Sequence, residues 1–470
     1  MKKLSLLSFL LLFFCAFADA QSLKDRIFSA FKRLQADNQC EYASVSLTVL
    51  DAKTGEQIFA GNPKMGLSPG STLKTVTTIS AFNILGGDFK YQTQFGYNGT
   101  ITNGTLNGDV IIKGGGDPTL GSSRWEATKE DAIISQMMVA LKKAGIKKIN
   151  GRIIGDDSAY GTQAIPDGWI VQDLGTYYGA GANALCWREN QFDINLKTGA
   201  VGTPISITGT TPIVPYLTYK SELTNAPSGT GDNAYPYLPT PGSSIMYLRG
   251  TFAIDQPKKS VGAAMPDPAY HIAYSLHFLL NSFGLVVTGS PESTLTLLNK
   301  SEKTPAITND LTTITSPSLS QIVYWTNRKS INLYAEQLLK AIAVKSGKAA
   351  TTLNGVDALQ AFWKTRGIDP NSMDIADGSG LSPADKITTA TIASLLKSAR
   401  KESWYNDFYE SLPIYNDMHM KSGSIHNVQA YAGYHTKNGR QLCFSIIVSN
   451  YNGSTRAIKD KMFRVLDELK

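Results

Sequence analysis

The sequence predicts an α/β (α+β) chain whose first and last segments share one sheet, with a large, mainly β insertion between them. Near the start, residues 44–60 read as a strand, a tight turn and a second strand. Near the end, alternating apolar runs at 428–434 and 442–448 precede an amphipathic helix pattern at 455–469. This mirrored order at the two ends indicates that the segments belong to one sheet with helices packed on it.

A long insertion separates these two ends. About 250 residues lie between Lys74 and Ser330, more than the helices of one ordinary domain require. Most of them form short alternating segments divided by Gly, Asn, Thr and Pro, which is typical of a mainly β region. We therefore assign residues 21–95 and 286–470 to the domain with the shared sheet, and residues 96–285 to the insertion.

The first twenty residues have the pattern of a secretory signal peptide. Lys2-Lys3 precedes an apolar run at 4–17, and Ala18–Ala20 follows it. The run is too short to span a membrane, and no later segment reaches about eighteen uninterrupted apolar residues. A lipoprotein signal at Cys15 is the weaker alternative, because a bulky Phe precedes it. We expect residues 1–20 to be removed and the chain to act in the periplasm without a stable membrane span.

Composition and charge exclude several classes of protein. Hydrophobic residues make up 42% of the chain and charged residues 18%, as in a globular protein. The formal net charge is +7 without a long basic run, and export argues further against a nucleic-acid partner. Cys40, Cys186 and Cys443 remain after signal removal. This odd, scattered set predicts no disulfide framework and no zinc site, and buried free thiols are favoured over a single disulfide.

The first candidate for chemistry is the motif Ser71–Lys74. It follows Pro69-Gly70 and opens an apolar periodic run that stops at Gly86-Gly87, so Ser71 is predicted in the first turn of a helix. Positions i and i+3 share a helix face, which places the Lys74 amine beside the Ser71 hydroxyl. An N-cap serine with a solvated lysine is the alternative. That alternative fits the other S-x-x-K copies, which lie in amphipathic patterns: Ser29, Ser394 and Ser398.

Two further motifs follow in the order of a serine acyl-transfer site. Ser330-Ile331-Asn332 is the only S-x-N in the chain and opens a helical pattern at 333–344, with a plain N-cap as the alternative. Lys421-Ser422-Gly423 leads towards the strand at 428–434, which is rigid enough to carry a binding site. The other K-[ST]-G triplets read as a hairpin turn, a strand end and a helix end: 53–55, 197–199 and 345–347.

Longer motifs extend this pattern over nearly the whole chain: Lys113–Leu120, Gly155–Ser158, Tyr177–Ala180 with Ala184-Leu185, and Asp377–Ser382. In this combination the chain resembles the D-alanyl-D-alanine carboxypeptidase/endopeptidase family. These are the class C, penicillin-binding protein 4 type of penicillin-recognising serine peptidases. The resemblance implies a transpeptidase/β-lactamase-like domain, an antiparallel sheet with helices on both faces, and two nested domains within the insertion.

The resemblance also implies catalytic roles. Ser71 would attack the carbonyl of a terminal D-Ala-D-Ala bond and form an acyl-enzyme that water cleaves, while Lys74 takes the serine proton. Ser330 would pass a proton to the leaving D-Ala, and Asn332 would hold Lys74 and the substrate amide. Lys74 then needs a pKa below the roughly 10.4 of a free lysine, through burial and a nearby cation, for which Lys421 is the candidate. No metal or organic cofactor is required.

By the same resemblance, backbone N–H groups of Ser71 and Ser424 would form an oxyanion hole. Three residues would bind the free carboxylate of the terminal D-Ala: Lys421, Ser422 and Ser424. Three others would contribute to a pocket for the third residue of the stem peptide: Trp169, Asp173 and Tyr178. The alternative, to which we give equal weight, is an ordinary structural role: the Trp and the Tyr would lie in a core, and the Asp would be exposed to solvent.

Two positions depart from the family pattern. Ser422 stands where Thr is usual, which keeps the hydroxyl group. Pro383 follows Asp377–Ser382 where many relatives place an Arg that binds a charged group of the stem peptide, and proline cannot do so. We expect weak recognition of a charged third residue, unless another cation such as Lys386 or Arg188 replaces the Arg.

The sequence therefore predicts a periplasmic serine D-Ala-D-Ala carboxypeptidase, or an endopeptidase that cuts D-Ala-meso-diaminopimelate-type cross-links. Its partners would be peptidoglycan stem peptides as substrates and β-lactam antibiotics as covalent inhibitors. A β-lactamase, an esterase of the same fold and a non-catalytic cell-wall binding protein are the alternatives. The long insertion argues against a β-lactamase, and the complete set of motifs argues against a non-catalytic binding protein. Both peptidase activities cleave after a D-Ala, so the sequence does not separate them.

Overall fold

The computed structural model describes residues 22–240 and 242–470. The predicted signal peptide and the alternative at Cys15 lie outside the described residues. The α-helices are α1 (Leu23–Gln35), α2 (Leu73–Leu85), α3 (Glu130–Lys143), α4 (Pro268–Ser282), α5 (Thr294–Asn299), α6 (Leu319–Arg328), α7 (Asn332–Lys345), α8 (Thr352–Lys364), α9 (Thr389–Ala399), α10 (Tyr405–Ser411) and α11 (Thr455–Leu466).

The strands are β1 (Ser44–Asp51), β2 (Gln57–Gly61), β3 (Gln92–Tyr97), β4 (Thr100–Thr102), β5 (Thr105–Asn107), β6 (Val110–Lys113), β7 (Lys148–Asn150), β8 (Ile153–Asp156), β9 (Gln191–Lys197), β10 (Ser206–Thr211), β11 (Thr218–Ser221), β12 (Thr224–Ala226), β13 (Tyr235–Tyr237), β14 (Ile245–Arg249), β15 (Thr251–Ala253), β16 (Ser260–Ala264), β17 (Val286–Val287), β18 (Glu292–Ser293), β19 (Asn309–Thr315), β20 (Met373–Asp374), β21 (Lys386–Ile387), β22 (Ile414–Tyr415), β23 (Met418–Ile425), β24 (Val428–Lys437) and β25 (Arg440–Ser449).

The first and last segments form one antiparallel sheet, which confirms the predicted fold class. The strand order is β2-β1-β25-β24-β23-β22. Strand β1 pairs with β25 along its full length, from Ser44 opposite Ser449 to Asp51 opposite Leu442. The predicted hairpin turn joins β1 to β2, and the Asp51 carboxylate closes it by accepting backbone N–H groups of the turn. Strands β1 and β25, which are far apart in the sequence, are therefore neighbours in the interior of this sheet.

Helices cover both faces of this sheet. Along β25, Phe444 and Ile446 pack against α1 and α11 on one face. Cys443 and Ile447 contribute to the other core, which contains α2 and the helices from α6 to α10. This division follows from the two-residue period of a strand. Cys40, Cys186 and Cys443 are all buried free thiols, as predicted.

The middle of the chain forms smaller sheets. Strands β3 to β8 with β17 to β19 make two sheets that pack against α3 and α4. Residues 191–264 make three further small sheets around a core of their own. These two cores favour two nested domains, although that division stays a prediction. Strand β19 pairs with β3, so residues after 285 still contribute to these sheets, and the exact boundary also stays a prediction.

The turn that bears Ser71 is held between two glycines. Residues Gly70–Thr72 form a 3-10 turn that runs directly into α2. A Cβ atom at Gly423 on β23 would lie 2.2 Å from the carbonyl oxygen of Pro69. A Cβ atom at Gly380 would lie 1.9 Å from the carbonyl oxygen of Gly70. The sheet edge and the loop at 377–382 reach this turn only because neither glycine has a side chain.

We expect Gly380→Ala to destabilise the protein more than Gly347→Ala. Both glycines have left-handed φ angles, +79° and +75°, so the backbone strain of about 1 kcal/mol is the same at both sites. At Gly347 no atom lies within 4 Å of the added methyl group, whereas at Gly380 the methyl group overlaps the backbone and should cost about 1–3 kcal/mol more. Equal losses of unfolding free energy in urea would contradict this close packing.

Candidate active site

Lys74 lies at the centre of the site. Its side chain is fully buried, and its Nζ donates hydrogen bonds to Oγ of Ser71 at 3.0 Å and Oδ1 of Asn332 at 2.6 Å. A third bond runs to the carbonyl oxygen of Ser379 at 2.7 Å. Three acceptors match the three protons of an ammonium group. The structure thus brings together the serine and lysine of the first motif, Ser71–Lys74, and the asparagine of the second, Asn332.

Ser330 and Lys421 form a second hydrogen-bonded pair of the site. Ser330 lies between α6 and α7 with a φ of +57°, which is rare for a residue other than glycine and often marks a functional site. Its Oγ accepts a hydrogen bond of 2.9 Å from Nζ of Lys421. Lys421 is also buried, at 1% exposure. Its Nζ donates a second bond, 2.8 Å, to the carbonyl oxygen of Ser422.

The backbone N–H of Ser424 faces the turn that bears Ser71. Strands β23 and β24 join through a two-residue loop, and Ile425 pairs with Val428 next to that loop. Hydrogen-bonded and non-hydrogen-bonded pairs alternate, so the N–H of Ser424 points away from β24. A methyl group at Gly70 would lie 2.7 Å from this nitrogen. The Ser424 amide therefore lies against the turn that bears Ser71, and the use of these two amides as an oxyanion hole stays a prediction.

The loop at 377–382 supplies the third partner of Lys74, a role the sequence did not indicate. Asp377 is fully buried, and its carboxylate accepts the backbone N–H groups of residues 379–382 at 2.6–3.0 Å. It also accepts Nε1–H of Trp169 at 2.8 Å. These bonds fold the loop tightly and direct the Ser379 carbonyl at Lys74. An Asp followed by small residues is a signal for such a turn.

Burial lowers the pKa of Lys74 from 10.5 to about 8. Three buried carboxyl groups oppose this and raise it: Asp377, Glu336 and Asp385. Burial also raises the pKa of Glu336 to about 8 and that of Asp385 well above its usual range. The predicted desolvation of Lys74 is therefore present, and buried carboxyl groups oppose its effect on the pKa.

Lys421 was expected to be the cation that lowers the pKa of Lys74. Burial lowers the pKa of Lys421 well below its ordinary value, and the charge of Lys74 lowers it further. Burial is thus the largest cause that lowers the pKa of each amine, and the repulsion between the two charges disfavours their simultaneous protonation. A carboxylate bound beside Lys421 would favour its charged form.

A cleft of about 730 Å³ leads to Ser71. Ser330, Asn332 and Ser424 line it from the sheet and helix side. The middle part of the chain lines the opposite side with Ile170, Asp173, Tyr177 and Tyr178. Ser71 therefore lies in a cleft lined by residues from both parts of the chain that the sequence analysis distinguished.

The predicted substrate-binding residues differ in their positions relative to this cleft. Asp173 and Tyr178 line it, and the Tyr178 hydroxyl donates to Asp173 at 3.3 Å. Burial raises the pKa of both groups. Trp169 lies behind the cleft wall, 8% exposed, and bonds Asp377 as described. Ser424 is exposed in the cleft, and Ser422 is half-buried beside it. Direct contact of these residues with a substrate stays a prediction.

Pro383 lines the cleft beside Leu381. The two cations considered as replacements for an arginine do not line it. Lys386 donates to backbone carbonyl oxygens of its own loop, among them Pro383 at 2.8 Å, and Arg188 pairs with Glu130. Two other cations do line the cleft: Arg124 and Lys329.

Arg124 and Lys329 differ in how firmly they are held. The Arg124 guanidinium binds the Glu189 carboxylate through two bonds of 2.7 and 3.0 Å. Lys329 is exposed, and its side-chain ammonium group makes no hydrogen bond or ion pair within residues 22–240 and 242–470. Of these two cations, Lys329 is therefore the one whose charge is not already paired.

The remaining S-x-x-K copies have structural explanations. The hydroxyl groups of Ser394 and Ser398 donate back to carbonyl oxygens of α9, both at 2.7 Å. Ser29 lies on α1, which covers the face of the sheet opposite α2. The choice of Ser71 among these copies stays a prediction, supported by the bond between its hydroxyl and Lys74.

The sequence matches a known protein family over most of its length. The model of the D-Ala-D-Ala carboxypeptidase 3 (S13) family matches residues 29–469. The chain is 23% identical over 447 residues to the D-alanyl-D-alanine carboxypeptidase of Actinomadura sp. (strain R39), covering 89% of this chain and 80% of that protein. It is 24% identical over 416 residues to the carboxypeptidase DacB of Haemophilus influenzae, covering 83% and 82%.

The fold is also found in a solved structure. The crystal structure of penicillin binding protein 4 (dacB) from Haemophilus influenzae superposes with a TM-score of 0.78. The match covers 94% of this chain and 99% of the other, at 22% identity. The predicted family and the predicted fold class are confirmed.

We expect the rate of Ser71 acylation to rise with pH through a value near 8. The pKa of Lys74 is lowered to about 8, so Lys74 is protonated below that value and cannot accept the Ser71 proton. Above it, the neutral amine can act as a base. The measurement is the pre-steady-state acylation rate with a chromogenic ester from pH 6 to 10, with circular dichroism as the control for folding. If the acylation rate instead rises with a midpoint near pH 10.4, the pKa of a free lysine, the result would contradict a buried base.

Proposed function

The chain belongs to the D-Ala-D-Ala carboxypeptidase 3 (S13) family of serine peptidases, and on that basis we propose that it cleaves peptidoglycan stem peptides after a D-Ala residue. The observation that carries the proposal is the bond between Lys74 Nζ and Ser71 Oγ at the end of an open cleft. A serine hydroxyl becomes an activated nucleophile when a buried, partly deprotonated amine lies beside it and can take its proton. The reaction is hydrolysis through an acyl-enzyme, without a metal or organic cofactor.

Acylation uses two hydrogen-bonded pairs, Ser71 with Lys74 and Ser330 with Lys421. Neutral Lys74 takes the proton of Ser71 while the serine oxygen attacks the carbonyl carbon of the D-Ala-D-Ala bond. The amides of Ser71 and Ser424 stabilise the negative charge that develops on the carbonyl oxygen. The bond to the leaving amine then breaks. Ser330, which accepts a hydrogen bond from Lys421, gives its hydroxyl proton to that amine and takes in its place the proton that Lys74 received from Ser71, so Lys74 is neutral again. A water molecule attacks the ester in the second half and restores Ser71.

The substrate carboxylate is proposed to lie beside β23. Lys421 supplies the positive charge and Ser424, exposed in the cleft, a hydroxyl donor, with Ser422 next to them. Binding a carboxylate here would compensate the buried charge of Lys421, which otherwise has only neutral oxygen partners. This gives a physical reason for preferring peptides with a free C-terminal D-Ala.

Location and inhibition follow from the same proposal. No helix of residues 22–240 and 242–470 has both the length and the apolar character to span a membrane. We propose that the enzyme is exported by the segment at 1–20 and acts in the periplasm. The penicillin binding protein 4 of Haemophilus influenzae has also been solved as a complex with a β-lactam, and we propose that β-lactams acylate Ser71 here.

Ser71→Ala should abolish peptide hydrolysis and covalent labelling by fluorescent penicillin while the protein remains folded. Loss of the hydroxyl removes the nucleophile, whereas the helix start loses at most about 1 kcal/mol. Ser398→Ala is the matched control, because its hydroxyl bonds only its own helix, and it should retain both activities. Labelling of the Ser71→Ala variant would contradict the assignment of the nucleophile.

The substrate is tested in the same preparation. A pentapeptide ending in D-Ala-D-Ala, a cross-linked muropeptide and a chromogenic β-lactam separate carboxypeptidase, endopeptidase and β-lactamase activity. Release of D-Ala from the first, or cleavage of the cross-link in the second, supports the proposal. Rapid turnover of the β-lactam with neither peptide cleaved would refute it.

We expect only weak preference for a carboxylate on the third residue of the stem peptide. Pro383 offers no positive charge and no N–H donor to the cleft. The ratio of kcat/KM for two peptides that differ only in that carboxylate should correspond to less than about 2 kcal/mol, the value of a hydrogen bond to a charged group. Pro383→Arg should increase the ratio. If wild type already prefers the charged peptide by about a hundredfold, roughly 2.7 kcal/mol, another cation reads it, and Lys329→Gln identifies whether it is Lys329.

A further inference from the structure

Residues 166–179, here called the strap, connect the middle part of the chain to two of the three hydrogen-bond partners of the Lys74 amine. The strap lines the substrate cleft with Ile170, Asp173, Tyr177 and Tyr178. Its backbone and Trp169 also bond the two segments that hold Asn332 and Ser379. These two residues supply the acceptors that fix Lys74 against Ser71.

The first connection runs through the loop at 377–382. Trp169 Nε1 donates to Oδ2 of Asp377 at 2.8 Å, and the Ser382 hydroxyl donates to the carbonyl oxygen of Gly168 at 2.9 Å. A methyl group at Gly168 would lie 2.4 Å from the Ser382 hydroxyl oxygen, so strap and loop are in close contact. Asp377 in turn fixes the backbone that carries the Ser379 carbonyl.

The second connection runs through Asn332. Its Nδ2 donates to the carbonyl oxygen of Tyr178 at 2.8 Å, while its Oδ1 accepts from Lys74. An amide with both ends bonded cannot rotate without losing a bond. The strap therefore determines which end of the Asn332 amide faces the lysine.

We propose that Trp169 and Asp377 are positioning residues for the reaction: through them the strap holds the Ser379 carbonyl against the Lys74 amine. The inference rests on the proposed roles of Ser71 and Lys74 and goes beyond them. It makes one segment responsible both for contact with the substrate and for placing the base. The middle part of the chain is then part of the catalytic apparatus and not only a wall of the cleft.

A change of Asp377 should also alter proton affinity at Lys74. The groups that face Lys74 are Asp377 and Asp385 near the loop, Glu336 on α7 and Lys421 on β23. Among the carboxyl groups, Asp377 has the largest influence, and it raises the pKa of Lys74. Its removal leaves the ammonium form less stabilised, so the pKa falls below about 8 and the rising limb of the pH profile moves to lower pH.

The experiment compares Trp169→Phe with Trp363→Phe. Trp363 is equally suited as a control, because it is buried and its Nε1 donates a 2.7 Å bond to Ser80 Oγ, far along α2 from the amine. Acylation by a small chromogenic thioester with a free carboxylate is followed by stopped flow. We expect Trp169→Phe to lower the acylation rate by about tenfold, the effect of one lost hydrogen bond to a charged group. KM should change by less than about threefold, and the control should keep its rate within about twofold.

Asp377→Asn adds the pH readout. At matched folded fraction, its limb should move to lower pH, whereas Trp169→Phe should keep the wild-type limb because the charge of Asp377 remains. A structural role alone would lower the active fraction without moving the limb. An unmoved limb in Asp377→Asn, or a Trp169→Phe rate equal to the Trp363→Phe rate, would overturn the proposal. If Asp377→Asn does not fold, the comparison of the two tryptophan variants decides. Since the thioester reports acylation directly, this result is separate from whether the enzyme cleaves stem peptides.

Discussion

The buried amine of Lys74 is the constraint on which the rest of the site depends. A lysine removed from water strongly disfavours its charge, and that makes it a base near neutral pH. The same amine must still have partners for its protons, because an unpaired buried cation would destabilise the fold. The structure meets both requirements with three neutral acceptors, Ser71, Asn332 and Ser379, each held by a different segment. Every one of these segments must therefore approach the start of α2 closely.

That close approach explains the glycines around the nucleophile. Gly423 lets the edge of β23 touch the Ser71 turn, and Gly380 lets the loop at 377–382 reach it from another side. The strand edge brings Lys421 and the Ser424 amide, and the loop brings the Ser379 carbonyl. The strap then closes the third side through Asn332 and Asp377. The site is thus built where three parts of the chain can pack against a turn with little side-chain bulk.

Local patterns predicted the elements but not these contacts. The period-two runs at 428–434 and 442–448 became β24 and β25, and the helix that begins beside Ser71 became α2, because burial of one face imposes its period on the sequence. The serine, lysine and asparagine motifs could be found because their residue types and order are distinctive. The bond between Trp169 and Asp377 joins residues 208 positions apart, and neither residue has a periodic signal that would pair it. The pairing of β19 with β3, which extends the middle sheets past 285, is likewise a long-range contact without a local signal.

The buried carboxyl groups give a reason why the base can accept a proton in so dry a place. When Lys74 takes the Ser71 proton, a positive charge forms in a region from which water is excluded, which by burial alone would be costly. Asp377 lies nearby with its carboxylate held by backbone N–H groups. Glu336 on α7 has a pKa of about 8, close to that of Lys74, so its ionised form and the ammonium form of Lys74 stabilise each other. The carboxyl groups therefore offset part of the cost of a buried ammonium group and keep the lysine from losing its basicity altogether.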